Sequence, residues 1–290
     1  MKYKPVLKWA GGKRSILNLI ENRLEKLDTQ NATFFDLFAG SGSVAFHVAD
    51  MFDHIVINDT NEELYNLYTV IKDDPISLIG NLEKLKSSHS KDQYYEIREW
   101  DRSSEYKKIH KSDERAARTI YLNKTCYNGL YRVNSKGQFN VPIGRYENPK
   151  INDFKNIQTL SDILKLKFTI CNSDFSHLKK HLKTGDVVYL DPPYDKENSS
   201  SFVSYTSKKF DVYDQERLKD FFDELTDMGV YACLSNSATE KIKDLYKEYI
   251  DDDSYITVQR NISSKGDSRI RAEEILIDNF NFIKEKAKCL

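Results

Sequence analysis

Residues 33–52 read TFFDLFAGSGSVAFHVADMF, and the changes of texture inside that stretch decide the fold class. Thr33 to Phe38 is a compact β-rich run, Ala39 to Ser43 is a glycine and serine turn, and Val44 to Phe52 places apolar residues at helical spacing. A second apolar run, HIVIND at 54–59, ends on Asp59. Strand, glycine-rich turn, helix and acid-terminated strand open a nucleotide-binding α/β fold, whose ligand sits at the carboxyl ends of parallel strands. Gly40 to Ala45 satisfies the loose dinucleotide fingerprint, and Asp59 stands near the distance of a ribose-binding acid. A bland strand-to-helix turn matches that pattern about as often, and the pattern does not separate NAD from other adenosine-bearing cofactors.

From about Glu62 to Asp162 the chain turns charged, tyrosine-rich and helical, which interrupts the sheet. Within it, RAARTIYLNKTCYN (115–128) reads as a helix and YRVNSKGQFNVP (131–142) as a β-hairpin whose turn ends in Gly137. Strand-like runs return as KFTIC (167–171), DVVYL (186–190), VYACLSN (230–236) and EEILIDNF (273–280), with a helical stretch at 213–228. The acidic triplet Asp251 to Asp253 reads as a solvated loop. The division expected is therefore 1–61 and 165–290 as one α/β domain, interrupted by a mainly helical domain at 62–164.

The 290 residues are 39% hydrophobic and 31% charged, a globular composition with ample core. No apolar run would span a bilayer and the N-terminus has no signal-peptide core, so a cytoplasmic location is expected. Cys126, Cys171, Cys233 and Cys289 are scattered, with no metal-ligand spacing; reduced thiols and no metal are expected. A net charge of −1 gives no bulk electrostatic sign of nucleic-acid binding, so any such site must come from local clusters.

The run VVYL (187–190) stops on DPPY, Asp191 to Tyr194. By average residue usage such a tetrapeptide arises by chance about once in a thousand chains of this size. Its prolines fix φ and remove two donors, so carbonyl acceptors lie beside the Asp191 carboxylate and the Tyr194 ring, and together they suit an amino group. With the F-x-G-x-G turn, this resembles the amino-methylating DNA methyltransferases that use S-adenosyl-L-methionine. LKWAGGK (7–13), DLFAGSGS (36–43), YNGLYRVNSKGQFNVPIGRY (127–146), DPPY and NISSKGDSRIRAEEILI (261–277) then occur in the order of the Dam family of DNA adenine methyltransferases.

That resemblance implies a seven-stranded Rossmann-like methyltransferase sheet with a helical DNA-recognition insert, and N6-methylation of adenine in duplex DNA, commonly within GATC. It implies a pocket for the methionine part of the cofactor from Trp9, Lys13, Asp36, Phe38, Gly40 and Gly42, with Lys13 toward the carboxylate and Asp36 toward the ammonium group. Asp59 resembles the ribose acid, and Asp174 with Phe175 the residues at the cofactor's adenine; an Asp after a strand is also a common N-cap. Asp191, Pro192, Pro193 and Tyr194 would hold a flipped target base. Tyr127, Asn128, Leu130, Arg132 and Pro142 match the reading hairpin, with Arg132 suited to guanine, while Lys265, Arg269 and Arg271 match phosphate contacts. A functional monomer is expected, and a separately acting restriction endonuclease stays open as a partner. The alternatives are a Rossmann-fold NAD-dependent oxidoreductase and an amino-methyltransferase acting on RNA or protein.

Overall fold

The computed structural model describes residues 2–9, 13–151, 153–195, 210–259 and 271–288. Its centre is a seven-stranded sheet of β1 (Thr33–Asp36), β2 (His54–Asn58), β3 (Phe168–Cys171), β4 (Val187–Leu190), β5 (Tyr231–Ser237), β6 (Tyr255–Gln259) and β7 (Arg271–Asp278). The strand order is β3-β2-β1-β4-β5-β7-β6, parallel through β5, with β7 antiparallel to both of its neighbours. This is the Rossmann-like arrangement. The chain builds outward from β1 to β2 and β3, then returns to the other side of β1 for β4. The carboxyl ends of β1 and β4 therefore flank the point where strand order reverses, which is where such sheets place their ligands.

Two cores explain why the strands read as continuous apolar runs. Phe34, Ile55, Ile57, Val187 and Tyr189 face one core, while Phe35, Leu37, Val56, Val188 and Leu190 face the other, as the two-residue pleat period demands. All four residues of β4 are buried, and covering a side chain such as Val187 or Leu190 contributes about 1.5–3 kcal/mol.

Helices α1 (Leu17–Leu24) and α2 (Ser43–His47) precede the long segment between β2 and β3. That segment holds α3 (Glu62–Asp73), α4 (Pro75–Ser87), α5 (Lys91–Glu99), α6 (Tyr106–Ile109), α7 (Ser112–Thr125) and α8 (Phe154–Lys167). Its first and last helices lie together beside the sheet: Lys72 Nζ donates to the Phe168 carbonyl at 2.7 Å, and Ser161 Oγ to the Lys72 carbonyl at 3.2 Å. Leu78, Leu82, Tyr94, Ile120 and Tyr121 continue the core that contains Phe34 and Val187. After β4 come α9 (Val212–Asp227), α10 (Glu240–Leu245) and α11 (Phe280–Lys288). Among the described residues no helix is long and apolar enough to cross a membrane.

Four local readings change. The helix expected over 44–52 ends at His47: Val48 leaves helical geometry with φ −89° and ψ 6°, and a turn leads on to β2. Helix α7 stops at Thr125 rather than 128, since Cys126 turns to an extended backbone with φ −76° and ψ 166°, and Asn128 and Gly129 beyond it are left-handed with φ of 54° and 64°. The hairpin over 131–142 reverses direction as expected, but a single isolated bridge, Val133 with Phe139, joins its limbs, and a second, Cys126 with Ile143, pairs residues just outside it. Strand β6, at the sheet's edge, was not expected; its YITVQ is as apolar as β1 or β5, and it pairs on one side only, with β7.

Candidate active site

The turn after β1 is shaped by what a side chain there would strike. Gly40 and Gly42 have φ of 50° and 71°, and a Cβ on either would lie 2.7 Å from the Trp9 indole or the Phe46 ring respectively. Tyr68 Oη donates to the Gly40 carbonyl at 2.8 Å, and the Gly40 N–H donates to Asp59 at 2.9 Å. Asp59 also accepts the Asn61 N–H at 2.8 Å, so this carboxylate braces the loops after β1 and β2. Asn58 stitches a third loop to them, donating to the carbonyls of Leu37 and Ser173.

Asp36 closes β1 with its side chain almost wholly buried, and its Oδ1 has no hydrogen-bond partner. Burial, followed by the nearby Asp191 and Asp59 charges, pushes its carboxyl up to about 8, against the N–H groups of Ala45 and Phe38. A buried acceptor without a donor costs about 1–3 kcal/mol. Beside a glycine cradle it fits a ligand that brings an ammonium group.

Asp191 follows β4 immediately, next to Asp36, whose strand pairs it with Tyr189. Lys13 Nζ lies 2.7 Å from Asp191 Oδ1 and 4.6 Å from the centre of the Tyr194 ring. Burial raises the Asp191 carboxyl, Lys13 offsets part of that, and Glu274 adds to it. Lys13, expected toward a cofactor carboxylate, is thus held between two residues of the proline motif. Pro192 is buried and Pro193 exposed. Tyr194 Oη donates to Glu274 on β7 at 2.9 Å.

Past β3, Asp174 caps a 3-10 turn at Phe175–His181 and accepts from the Ser176 N–H and hydroxyl. Arg217 of α9 binds the same oxygen at 2.8 Å. Burial would raise this carboxyl, but Ser176 and Arg217 together hold it below the usual range. Phe175 lies 5.6 Å from Phe38, with the Arg217 guanidinium 5.1 Å over its ring. The structure brings Asp174, Phe175 and Phe38 together on one side of the sheet's ligand end.

The hairpin residues form a second surface. Tyr127 donates its N–H to the Pro142 carbonyl at 2.9 Å, and Tyr127, Asn128 and Pro142 are exposed. Leu130 and Arg132 are half-buried, and Arg132 donates to the Asn140 side chain at 2.7 Å and its carbonyl at 3.3 Å. The two surfaces meet where Trp9 packs on Tyr131, 5.0 Å between ring centres. Buried Asn123 joins them again, exchanging hydrogen bonds with the Lys8 backbone and donating to the Gly129 carbonyl. Arg271 opens β7; Lys265 and Arg269 lie outside the described residues. Among the described residues no group of three His, Cys, Asp or Glu could hold a metal ion. Arg217, Glu274 and Asn58 were not singled out from the sequence, where an isolated charged residue or a strand-end asparagine carries no signal of what it will face.

Comparison with known proteins agrees across the chain. The model of the D12 class N6 adenine-specific DNA methyltransferases matches residues 9–263. Type II methyltransferase M1.LlaDCHI of Lactococcus lactis subsp. cremoris is 40% identical over 96% of this chain and 95% of its own. Type II methyltransferase M.MjaIII of Methanocaldococcus jannaschii is 39% identical over 97% of this chain and 100% of its own. The DNA adenine methylase of Escherichia coli K12 is 29% identical, over 95% of each chain. With the acid and proline loop at the switch point of a Rossmann-like sheet, this chain belongs to the D12 class N6 adenine-specific DNA methyltransferases.

Proposed function

We propose that the protein transfers a methyl group from S-adenosyl-L-methionine to N6 of adenine in double-stranded DNA, within GATC, after turning the target base out of the duplex. The observation that carries this reading is the corner where Asp36 and Asp191 end adjacent strands: an orphan buried carboxylate oxygen beside the proline loop that bears the Asp191 carboxylate. Asp36 would take the ammonium group of the cofactor, with Gly40, Gly42 and Trp9 shaping the cradle and Phe38 and Phe175 flanking its adenine. Asp174 and Asp59 already serve backbone and Arg217 partners here, so in this reading they hold the cofactor through lone pairs left over.

S-adenosyl-L-methionine, when bound, supplies a methyl group already activated on a sulfonium. An adenine N6 lone pair is conjugated into its ring and is a poor nucleophile. Hydrogen bonds from its two N–H groups to the Asp191 carboxylate and the Pro192 carbonyl draw it toward a tetrahedral geometry. Asp191, its carboxyl raised by burial, would be placed to take the proton that N6 sheds on accepting the methyl group. No covalent enzyme intermediate is needed, in keeping with a proline motif that has no cysteine. Tyr194 stacks on the extruded base, whose unstacking costs a few kcal/mol. Positioning is the main task, and oriented reactants gain roughly 7–11 kcal/mol from it.

The division of labour follows: 1–61 and 165–290 do the chemistry, and 62–164 reads the duplex. Arg132 supplies a guanine contact, Leu130 and Pro142 apolar base contacts, and Tyr127 and Asn128 fill the space near the displaced base. The type II names of the relatives support a setting with a separately acting restriction endonuclease. The test is transfer of labelled methyl to short duplexes carrying GATC, a one-base variant, or GATC already N6-methylated on both strands, with Asp191→Ala as control. Labelling confined to unmethylated GATC and lost in the mutant is the expected result. Equal labelling of the variant sinks the site assignment, and labelling of RNA or protein but not DNA sinks the substrate.

A further inference from the structure

The proline loop cannot hold itself. Pro192 and Pro193 have no N–H, so between Asp191 and Tyr194 the loop can be anchored through its backbone only by carbonyls. One of them is anchored from behind: Gln215 Nε2, in the first turn of α9, donates to the Pro193 carbonyl at 3.1 Å. Asn236 Nδ2, near the end of β5, donates to Gln215 Oε1 at 3.1 Å. Asn236 Oδ1 accepts the Ser237 N–H at 2.8 Å and the Asp195 N–H at 3.4 Å. Ser237 Oγ and Thr239 Oγ1 then hold Asp195 itself, by its carbonyl at 2.7 Å and its carboxylate at 2.9 Å.

Gln215 is 2% exposed and Asn236 0%. Buried amides are costly unless paired, and each of these makes hydrogen bonds through both its oxygen and its nitrogen. The relay therefore ties three elements, α9, β5 and the loop after β4, to one carbonyl.

We propose that Gln215 and Asn236 are positioning residues for methyl transfer: their amide relay anchors the Pro193 carbonyl and so aims the Pro192 carbonyl and the Tyr194 ring at the target adenine. The geometric reason is short. With φ of Pro193 set by its ring, one torsion, ψ of Pro193, separates the anchored carbonyl from that of Pro192. The same peptide leads directly into Tyr194, whose far end is fixed by Glu274. The loop is gripped on both sides of the two groups that must meet the base. This inference rests on the reading that Asp191 to Tyr194 receive that base.

The test compares wild type with Gln215→Glu, which keeps the side chain's size and its acceptor for Asn236 but sets a carboxylate oxygen against the Pro193 carbonyl. Asn236→Ala removes the second amide. Displacing a reacting group by an ångström is felt strongly, so the single-turnover rate at saturating duplex should fall on the order of 10- to 100-fold, with cofactor and duplex dissociation constants within about threefold. Gln215→Met, of similar volume and without either hydrogen bond, should fall between, and it is read the same way if the glutamate variant does not fold. A single-turnover rate within about threefold of wild type, or one that falls only in step with the folded fraction in a thermal melt, overturns the proposal. Wild-type enzyme that labels no duplex at all would instead overturn the reading of the site, so the two failures are distinguishable.

Discussion

The loop after β4 and the hairpin at 131–142, to which the proposed function assigns the chemistry and the reading of the duplex, are built on opposite plans. Asp191 inherits its place from strand register: β4 pairs with β1, every residue of β4 is buried, and the loop is held by groups on β5, β7 and α9. The hairpin has almost no ladder of its own. Its second limb hangs from helices by side chains: the Phe139 N–H donates to Asp101 at 2.8 Å, Arg102 donates to the Phe139 carbonyl at 2.7 Å, and Tyr94 to the Val141 carbonyl at 2.8 Å. Buried Arg118 stands behind Asp101 at 2.8 Å. An element hung this way would be re-aimed by changing helix side chains, while the loop after β4 would stay locked to the sheet.

If the halves are separable, their losses should be too. Asp191→Ala should lower methyl transfer on the order of 10³-fold, the scale for removing a polar group that acts on the reacting atoms. The duplex dissociation constant, measured by fluorescence anisotropy, should stay within about threefold, because the hairpin is untouched. Arg132→Ala should do the reverse, costing roughly 1–3 kcal/mol of discrimination between GATC and a duplex altered at the guanine. Its rate on saturating GATC should hold. A fall in both quantities for either mutant would break the comparison.

A smaller effect sharpens the catalytic half. Burial and the neighbouring acids push the Asp36 carboxyl up to about 8, so at pH 7 it is mostly protonated, while an ammonium partner needs the carboxylate. Affinity for S-adenosyl-L-methionine should rise from about pH 6 toward 8, by at most about tenfold per unit, before the ligand's own ammonium begins to titrate. Calorimetry at pH 7 should show proton release as an enthalpy that tracks buffer ionisation. Stability without ligand runs the other way. A carboxyl that binds its proton better folded than unfolded stabilises most at low pH, and the gain is lost as pH rises through about 8. Asp36→Asn should flatten both profiles, and a flat wild-type affinity over the same range sinks the role.

How legible each half was follows from the same contrast. Strands β1, β2, β4 and β5 lie inside the sheet, and their runs at 33–36, 54–58, 187–190 and 231–237 are mostly buried; edge strand β3 at 168–171 is equally apolar, and the strand ends locate Asp36, Asp59, Asp174 and Asp191. Edge strand β6, YITVQ, is as apolar as β1, TFFD, so composition alone does not separate it from the strands that were expected. The hairpin was legible as a turn, from Asn134 to Gly137, but not in its mounting. Asp101, Arg102 and Arg118 belong to a charged stretch whose residues look alike until the helices place Asp101 against a backbone amide. Lys13 shows the same limit, since a motif gives its neighbourhood but not which acid it meets.

The finest test of the hung hairpin is Arg102→Met. Arg102 spans Asp101, Glu99 and the Phe139 carbonyl, and its side chain is about a quarter exposed, so solvent takes part of whatever these contacts are worth. A hydrogen bond from a charged donor contributes about 1.5–3 kcal/mol when shielded; discounted for that exposure, roughly 1 kcal/mol of restraint on Phe139 is at stake, about fivefold in an equilibrium. Asp101 keeps the Phe139 N–H and Arg118, so the fold should survive with little change in melting temperature. What should slip is register: Asn140, the next residue, is the partner of Arg132, and loosening one limb loosens the guanidinium's aim. Competition between GATC and one-base-variant duplexes should show discrimination reduced about fivefold, with the rate on saturating GATC unchanged. Unchanged discrimination with a slower rate would place Arg102 on the catalytic side and remove the contrast between the two halves.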